Sequence, residues 1–270
     1  MPAENVAFVG SIPENYDRYL GPVLFEPYAQ DLVERVKVPE GGRLLEIACG
    51  TGIVTRRLRD RLPSSVKIVA TDLNEAMIHH ARQKFRPDEN VEWKPADALD
   101  LPFGNESFDA VVCQFGLMFF PDKQRGVNEI YRVLKPDGQY IFSVWDAIER
   151  VDLAKATETV IKQFFPENPP DFYDIPFSFH EQDRLRSVLS TAGFRETKID
   201  VVPFPCVSAS ARDAAHGLIH GNPVITAINE RDPAKAPAVE AALAEKIAAQ
   251  FGAAPVNARM QAIVCSGIRE

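Results

Sequence analysis

The stretch RLLEIACGTG at residues 43–52 constrains the fold of this chain more than any other. It begins as a short apolar strand, reaches an acid at Glu46 and runs into a turn of small residues that contains Gly50 and Gly52. Residues 53–58 then continue at helical spacing. This arrangement predicts a ligand cradle, because small residues let a bound molecule touch the backbone and a helix start has unpaired N–H groups.

Strand-like and helix-like segments alternate after this turn. The predicted strands are 43–48, 67–71, 91–94, 108–114 and 139–145, and the predicted helices are 52–62, 75–85 and 122–134. Such alternation predicts βαβ units and a parallel sheet. The continuous apolar run DAVVCQF agrees, since a parallel sheet is covered on both faces. The expected fold class is therefore α/β, with a Rossmann-like doubly wound sheet and an added helical cap.

The segments outside this core are less regular. Residues 14–38 read as helical pieces divided by Pro22 and Pro27, because proline is tolerated only in a first turn. Beyond Trp145, helices are predicted at 147–165, at 180–192 and over 211–252. Strands are predicted at 194–207, where Pro203 and Pro205 indicate an edge or an irregular end, and at 257–268.

These patterns divide the chain into a core and its additions. The expected divisions are an N-terminal helical flap at 1–42, a ligand-binding core at 43–145, a helix and loop insertion at 146–179, a core helix with strand six at 180–207, a second helical insertion at 208–256 and a closing strand at 257–270.

Composition excludes several classes of protein. A hydrophobic content of 46% and a charged content of 25% are ordinary for a soluble globular protein. The net charge of −8 argues against a dedicated nucleic-acid binder, which would carry a basic face. There is no apolar run long enough for a transmembrane helix, and the N-terminus lacks the basic start and apolar region of a signal peptide.

The four cysteines, Cys49, Cys113, Cys206 and Cys265, form no CxxC or metal-type pair. We expect buried free thiols, which suit a cytoplasmic location.

Polar residues fall at the ends of successive predicted strands. Asp72 ends strand two, twenty residues after Gly52 (72 − 52), where an acid in nucleoside-binding α/β folds accepts both ribose hydroxyls. Asp97 follows strand three, where it could accept from a purine amine, and Gln114 ends strand four. Any one of these acids could instead be a helix cap or a solvated charge. Their convergence at one edge of the sheet favours a binding site.

A dinucleotide such as NAD is the rival ligand. Its fingerprint is GxGxxG, but the text ACGTGIVT has Val54 and Thr55 where the third glycine should be. Glu46 also precedes the turn, where a pyrophosphate would not favour an acid.

The chain resembles the class I S-adenosylmethionine-dependent methyltransferases, and within them the type-11 group that includes the ubiquinone/menaquinone biosynthesis methyltransferases. The matching text is LLEIACGTG, VATDLNEAMIHHAR, ADALDLPFGNESFDAVVCQFGLMFFPD and EIYRVLKPDGQYIFSVW. It covers residues 43–145 without a gap, and AGF at 192–194 matches the element before strand six. The match fades over 146–179 and 208–252.

The resemblance implies a seven-stranded sheet with the last strand antiparallel, S-adenosyl-L-methionine as cofactor and S-adenosyl-L-homocysteine as product. Glu46 and the backbone of the turn would hold the methionine end, Asp72 the ribose and Asp97 the adenine amine. The full set of implied cofactor-binding residues is Glu46, Ala48, Gly50, Gly52, Asp72, Leu73, Met77, Asp97, Ala98, Gln114, Phe115 and Leu117. Ala48 stands where many members have glycine, and alanine fits there if its φ is negative.

Methyl transfer from a sulfonium is an in-line displacement, so a base is needed only if the nucleophile arrives protonated. The catalytic candidates are His180, His216 and His220, with Asp146 and Tyr173 behind them. His216 and His220 are four residues apart and share one face of a regular helix. No third ligand is evident in the sequence, so no metal site is expected.

The insertions supply aromatic residues that would either line an acceptor pocket or form the core of the added helices: Phe164, Phe165, Phe172, Tyr173, Phe177 and Phe179. The expected function is methylation of a small aromatic or lipophilic molecule. The alternative is a non-catalytic protein that binds S-adenosylmethionine, its demethylated product or a partner. The expected partners are a small-molecule acceptor, with no nucleic acid and no membrane span, and a homodimer is compatible with the sequence.

Overall fold

The computed structural model describes Phe8 and residues 10–270, so most of the first nine residues of the predicted flap lie outside the described part. The strands are β1 (Arg43–Ile47), β2 (Lys67–Asp72), β3 (Val91–Pro95), β4 (Phe108–Gln114), β5 (Leu134–Trp145), β6 (Phe194–Ser208) and β7 (Val256–Arg269). The α-helices are α1 (Ile12–Asn15), α2 (Glu26–Arg35), α3 (Ile53–Arg61), α4 (Glu75–Arg82), α5 (Lys123–Val133), α6 (Asp152–Phe164), α7 (Gln182–Ala192), α8 (Ala211–His220), α9 (Val224–Arg231) and α10 (Ala236–Phe251). A π-helix spans Tyr16–Phe25.

The seven strands form one sheet in the order β3-β2-β1-β4-β5-β7-β6. The pairs from β3 through β5 are parallel, and β7 runs antiparallel to both β5 and β6. This confirms the predicted α/β fold and its antiparallel last strand. The strand order reverses between β1 and β4, so the crevice for a ligand opens beyond their carboxyl ends.

β5 starts earlier than the sequence indicated. Leu134 already pairs with Phe108, and the register then shifts so that Gln139 pairs with Ala110. Residues 136–138, which precede the predicted strand 139–145, are therefore an irregularity inside β5, and Asp137 has a φ of 63° there. An excursion of this kind adds residues to one strand without ending the pairing.

The N-terminal helical region is also more continuous than its prolines predicted. Pro22 lies inside the π-helix, and Pro27 lies in the first turn of α2. In an α-helix the ring of Pro22 would meet the carbonyl of Arg18, and the wider π turn relieves that clash. The break expected at Pro22 is therefore absent.

The turn after β1 takes a left-handed path at alternate residues. The φ angles are 55° at Ala48, 54° at Gly50 and 82° at Gly52. The condition stated for alanine at this position, a negative φ, is not met, because the chain must reverse sharply between β1 and α3. Asp72 Oδ2 accepts the Gly50 N–H at 2.8 Å and fixes this path.

β6 is an edge strand, as its prolines predicted, since it pairs with β7 alone. Pro203 and Pro205 lie within it, and Val201 and Val207 are 43% and 48% exposed.

All four cysteines are free and buried, which confirms that prediction. Among the described residues, no helix is both long enough and apolar enough to cross a membrane.

The strained turn generates a stability prediction. Ala48→Gly should raise the free energy of unfolding by about 1 kcal/mol, because glycine adopts a positive φ without the cost that alanine carries there. Urea unfolding monitored by circular dichroism measures the change.

Ala110→Gly is the matched control, because Ala110 lies fully buried in β4. This same chemical change should lower stability by roughly 1 kcal/mol, since glycine loses more conformational freedom in a strand. Destabilisation of both variants to the same extent would contradict strain at Ala48.

Candidate functional site

A cavity of ≈ 340 Å³ opens at the carboxyl ends of the central strands. Its floor is formed by residues at or just after the ends of β1, β2, β3, β4 and β5. Its cover comes from the π-helix, α6, the segment 172–177, α8 and Asn222 just beyond α8. The cavity therefore lies where the reversal of strand order predicts a ligand, and the helical additions close it.

Asp72 is the main polar group of the floor. Its Oδ2 accepts from the N–H of Gly50 and its Oδ1 from the N–H of Asn74, both at 2.8 Å. Burial raises the pKa of this carboxyl, and the two backbone N–H groups oppose that rise. Each carboxylate oxygen can accept more than one hydrogen bond. Asp72 can thus receive two ligand hydroxyls while it holds the turn.

The far end of the floor combines an acid with apolar side chains. Asp97 is exposed, and its Oδ1 accepts the N–H of Leu99 at 2.8 Å. Leu73 is 63% exposed although it is a large hydrophobic residue, while Met77 is buried. All four residues line the cavity. A flat heterocycle with an amino group would cover Leu73 and reach Asp97.

Glu46 is buried beneath the turn with Oε2 unpartnered. Burial raises the pKa of this carboxyl to about 8, and the neighbouring Asp72 carboxylate acts in the same direction. The side-chain oxygen Oε1 of Gln114, which lines the cavity, is also buried without a partner. A side chain built at Gly50 would meet only the tip of Met77, at 3.9 Å. Unpaired polar atoms beside open backbone fit the amino-acid end of S-adenosylmethionine.

The charges around the cavity favour a cationic ligand. Of the described residues that line it, only Asp72 and Asp97 are formally charged, and none is lysine, arginine or histidine. Aromatic faces add to this preference, because their negative faces attract cations. A sulfonium is such a cation.

The opposite half of the cavity has aromatic walls. Phe115 stacks on Trp145 with ring centroids 4.0 Å apart, and Tyr16 stacks on Phe25 at 4.6 Å. Of the six aromatic residues in the first insertion, three line the cavity and three pack elsewhere. The lining residues are Phe172, Tyr173 and Phe177, and the packing residues are Phe164, Phe165 and Phe179. The set therefore divides between the cavity wall and the helical core, and an acceptor role for the three lining residues stays a prediction.

The structure gathers most of the predicted cofactor residues at this cavity. The lining members are Ala48, Gly50, Asp72, Leu73, Met77, Asp97, Ala98, Gln114 and Phe115. Glu46 lies beneath the turn rather than on the surface of the cavity. Gly52 starts α3 and faces Ala81, and Leu117 is fully buried between two lining residues. Direct contact with the cofactor stays a prediction for these residues.

The three candidate catalytic histidines do not line the cavity. His180 Nδ1 is 2.8 Å from the carbonyl oxygen of Phe177. His216 and His220 both face Glu240. The sequence showed no third ligand for this pair, because Glu240 lies twenty residues further along the chain (240 − 220) and comes close to both rings only in the fold.

Sequence reasoning missed several lining residues. Trp145 ends β5, so the strand-end rule that selected Gln114 would also have selected it. Met118 and Asn222 carried no comparable signal, since Met118 lies within a 3₁₀ turn and Asn222 just beyond a helix.

The comparisons with known proteins agree with this geometry. The family described as "Methyltransferase domain" matches residues 45–142. The ubiquinone/menaquinone biosynthesis C-methyltransferase UbiE of Geotalea daltonii is 28% identical over 178 residues, which are 62% of this chain and 76% of the relative. The demethylmenaquinone methyltransferase of Staphylococcus carnosus is 26% identical over 210 residues, 70% of this chain and 84% of the relative.

Solved structures share the fold at low identity. The phosphoethanolamine N-methyltransferase 2 of Haemonchus contortus, in complex with phosphomonomethylethanolamine and S-adenosylhomocysteine, has a TM-score of 0.61 at 16% identity and covers 95% of this chain and 56% of that one. The family match over the core, the strand order and the acidic floor with its unpaired polar atoms lead to one assignment. The chain carries a methyltransferase domain over residues 45–142, and we identify it as an S-adenosylmethionine-dependent methyltransferase.

Proposed function

We propose that this methyltransferase acts on a small lipophilic aromatic acceptor, with a hydroquinone as the first candidate. The observation that supports this proposal is the acceptor half of the cavity, where the walls are aromatic and no charged side chain of the described residues is present. The names of the two relatives above, which concern quinone methylation, support the same class of acceptor. The four buried free thiols support a cytoplasmic location.

Bound S-adenosylmethionine would supply an activated methyl group on a positively charged sulfur. We expect Asp72 to hold the ribose hydroxyls and Asp97 to accept from the adenine amine. Glu46, beneath the turn, would compensate the ammonium of the methionine end once it is ionised. In this arrangement the residues of the chain bind and orient the reactants, which is the main contribution that such a displacement requires.

Two tyrosines stand where an acceptor would lie. Burial raises the pKa of Tyr16 and of Tyr173, so both keep their protons at neutral pH. Tyr16 can donate a hydrogen bond to an oxygen of the acceptor, whereas the Tyr173 hydroxyl donates to the carbonyl oxygen of Leu218 at 3.4 Å. As protonated groups, neither can serve as a base. This favours an electron-rich ring, whose carbon attacks without prior loss of a proton, over an amine that must first be deprotonated.

The direct test is turnover with a panel of acceptors. Hydroquinones, phenols, primary amines and carboxylates are each supplied with S-adenosylmethionine, and formation of S-adenosylhomocysteine is followed. We expect hydroquinones or phenols with apolar substituents to react. Turnover of amines or carboxylates alone would contradict the proposal.

Asp72→Ala should weaken S-adenosylmethionine binding by roughly 10²-fold, because it removes two charge-assisted hydrogen bonds to the ribose. Calorimetry measures the affinity. The control is Asp60→Ala, which removes a carboxylate that is 52% exposed and pairs with Arg56. Unchanged affinity in a folded Asp72→Ala protein would exclude the assigned role.

Glu46 generates a pH prediction for the ligand-free protein. Its folded pKa of about 8 lies above its ordinary value, so the native state binds more protons than the unfolded state between about pH 4.5 and 8. Stability should therefore fall as pH rises through this window, by up to about 1.4 kcal/mol per pH unit.

The neutral Glu46→Gln variant should show a flatter profile in thermal unfolding from pH 5 to 9. If the two profiles run in parallel, the raised pKa of Glu46 does not govern this pH dependence.

Acceptor binding can be separated from packing with two buried phenylalanines. Phe177 lines the cavity and Phe165 does not, although their exposures of 9% and 7% are similar. Phe177→Leu should raise the KM for the acceptor several-fold, roughly 3–10-fold for the lost contact area. Phe165→Leu should lower the melting temperature about as much as Phe177→Leu does, but it should leave the KM for the acceptor unchanged. If both variants have the same KM for the acceptor, Phe177 does not contact the acceptor.

A further inference from the structure

Two of the five histidines of the chain meet a glutamate at the surface of the cap. His216 and His220 lie one turn apart on α8, and their rings stack with centroids 4.6 Å apart. Glu240 reaches them from α10. Its Oε1 is 3.0 Å from His216 Nδ1, and its Oε2 is 2.9 Å from His220 Nε2.

The ligand atoms of these three side chains are close enough to share one ion. All of them lie within 4.8 Å of one another. A tetrahedral ion with bonds of about 2.0–2.1 Å separates its ligand atoms by roughly 3.3 Å. The glutamate–histidine distances are within a few tenths of an ångström of that value, and small rotations of the two rings would close the remaining distance.

We propose that His216, His220 and Glu240 bind one divalent transition-metal ion that links α8 to α10. Imidazole nitrogens suit zinc, nickel, copper and iron, whereas magnesium and calcium prefer oxygen ligands. Three protein ligands also match an open zinc site, in which water takes the fourth position.

The cluster is accessible to ions from solvent. The side chains of His216, His220 and Glu240 are 36%, 29% and 30% exposed. An edge of the Tyr19 ring contacts His216, with centroids 4.9 Å apart, and restricts the rotation of that ring. Without an ion, the carboxylate accepts a hydrogen bond from each ring. A bound ion would replace these two hydrogen bonds.

The site is separate from the methyl-transfer cavity. None of its three ligands lines the cavity, whereas Leu218 of α8 and Asn222 just beyond it do. One face of α8 therefore serves the cavity and another carries the cluster. A bound ion would hold this part of the cover in place, and its binding can be measured without any turnover.

Other groups offer a weaker alternative for the ion. His80 Nε2 lies 3.4 Å from Asp17 Oδ2, which gives a two-residue pair rather than a group of three. The cysteines are at most 5% exposed and do not compete in the folded protein. His80→Gln is thus a suitable control variant.

The experiment is titration of the tag-free full chain with Zn²⁺ in a non-chelating buffer, followed by calorimetry, with Mg²⁺ as a second probe. We expect one Zn²⁺ per chain with a Kd below about 50 µM, and no binding of Mg²⁺. His220→Gln and Glu240→Gln should each weaken Zn²⁺ binding by at least 10-fold, because each removes a ligand. His80→Gln should not change it.

Thermal unfolding gives a second readout. Zn²⁺ at 100 times its Kd should stabilise the wild type but not His220→Gln, because only the folded cluster binds the ion. A Kd above this limit, equal affinity in wild type and both ligand variants, or loss of binding only in His80→Gln would overturn the proposal and leave the hydrogen-bonded group as the function of this cluster.

Discussion

The hydrogen bond from the Gly50 N–H to Asp72 Oδ2, 2.8 Å long, is the contact on which the cofactor site depends. It ties the turn after β1 to the end of β2, so that two strands and their loops form one rigid edge. Because the carboxylate is buried, its charge is costly unless donors surround it. The backbone supplies two donors, and the ribose of the cofactor would supply two more. Folding and binding therefore use the same side chain.

The cavity divides into halves with different chemistry. The floor carries acids and unpaired polar atoms, and it suits a ligand with hydroxyls, an amine and a positive charge. The cover is aromatic, and the hydroxyl groups of its two tyrosines, Tyr16 and Tyr173, keep their protons at neutral pH. Such a division places polar recognition on the strand ends, which are fixed by the sheet, and leaves acceptor selection to helices and loops that can vary without altering the sheet.

Most of the core could be predicted from the sequence, because periodicity, small-residue turns and strand-end acids are local signals. The alternation of strands and helices and the position of Asp72 at a strand end follow from such signals. Three features could not be predicted from local signals. The π turn around Pro22 and the positive φ at Ala48 depend on how the chain must pack on the sheet, which overrides the local preference. Glu240 joins the histidine pair only because α10 packs on α8, and no spacing rule covers contacts between separate helices.

The proline-bearing edge has a consequence for self-association. An additional strand beside β6 would receive no hydrogen bond from Pro203 or Pro205, because proline has no N–H group to donate. The exposed valines on either side of them would otherwise favour pairing of this strand with another chain. The two prolines therefore disfavour association of a second copy through the β6 edge of the sheet.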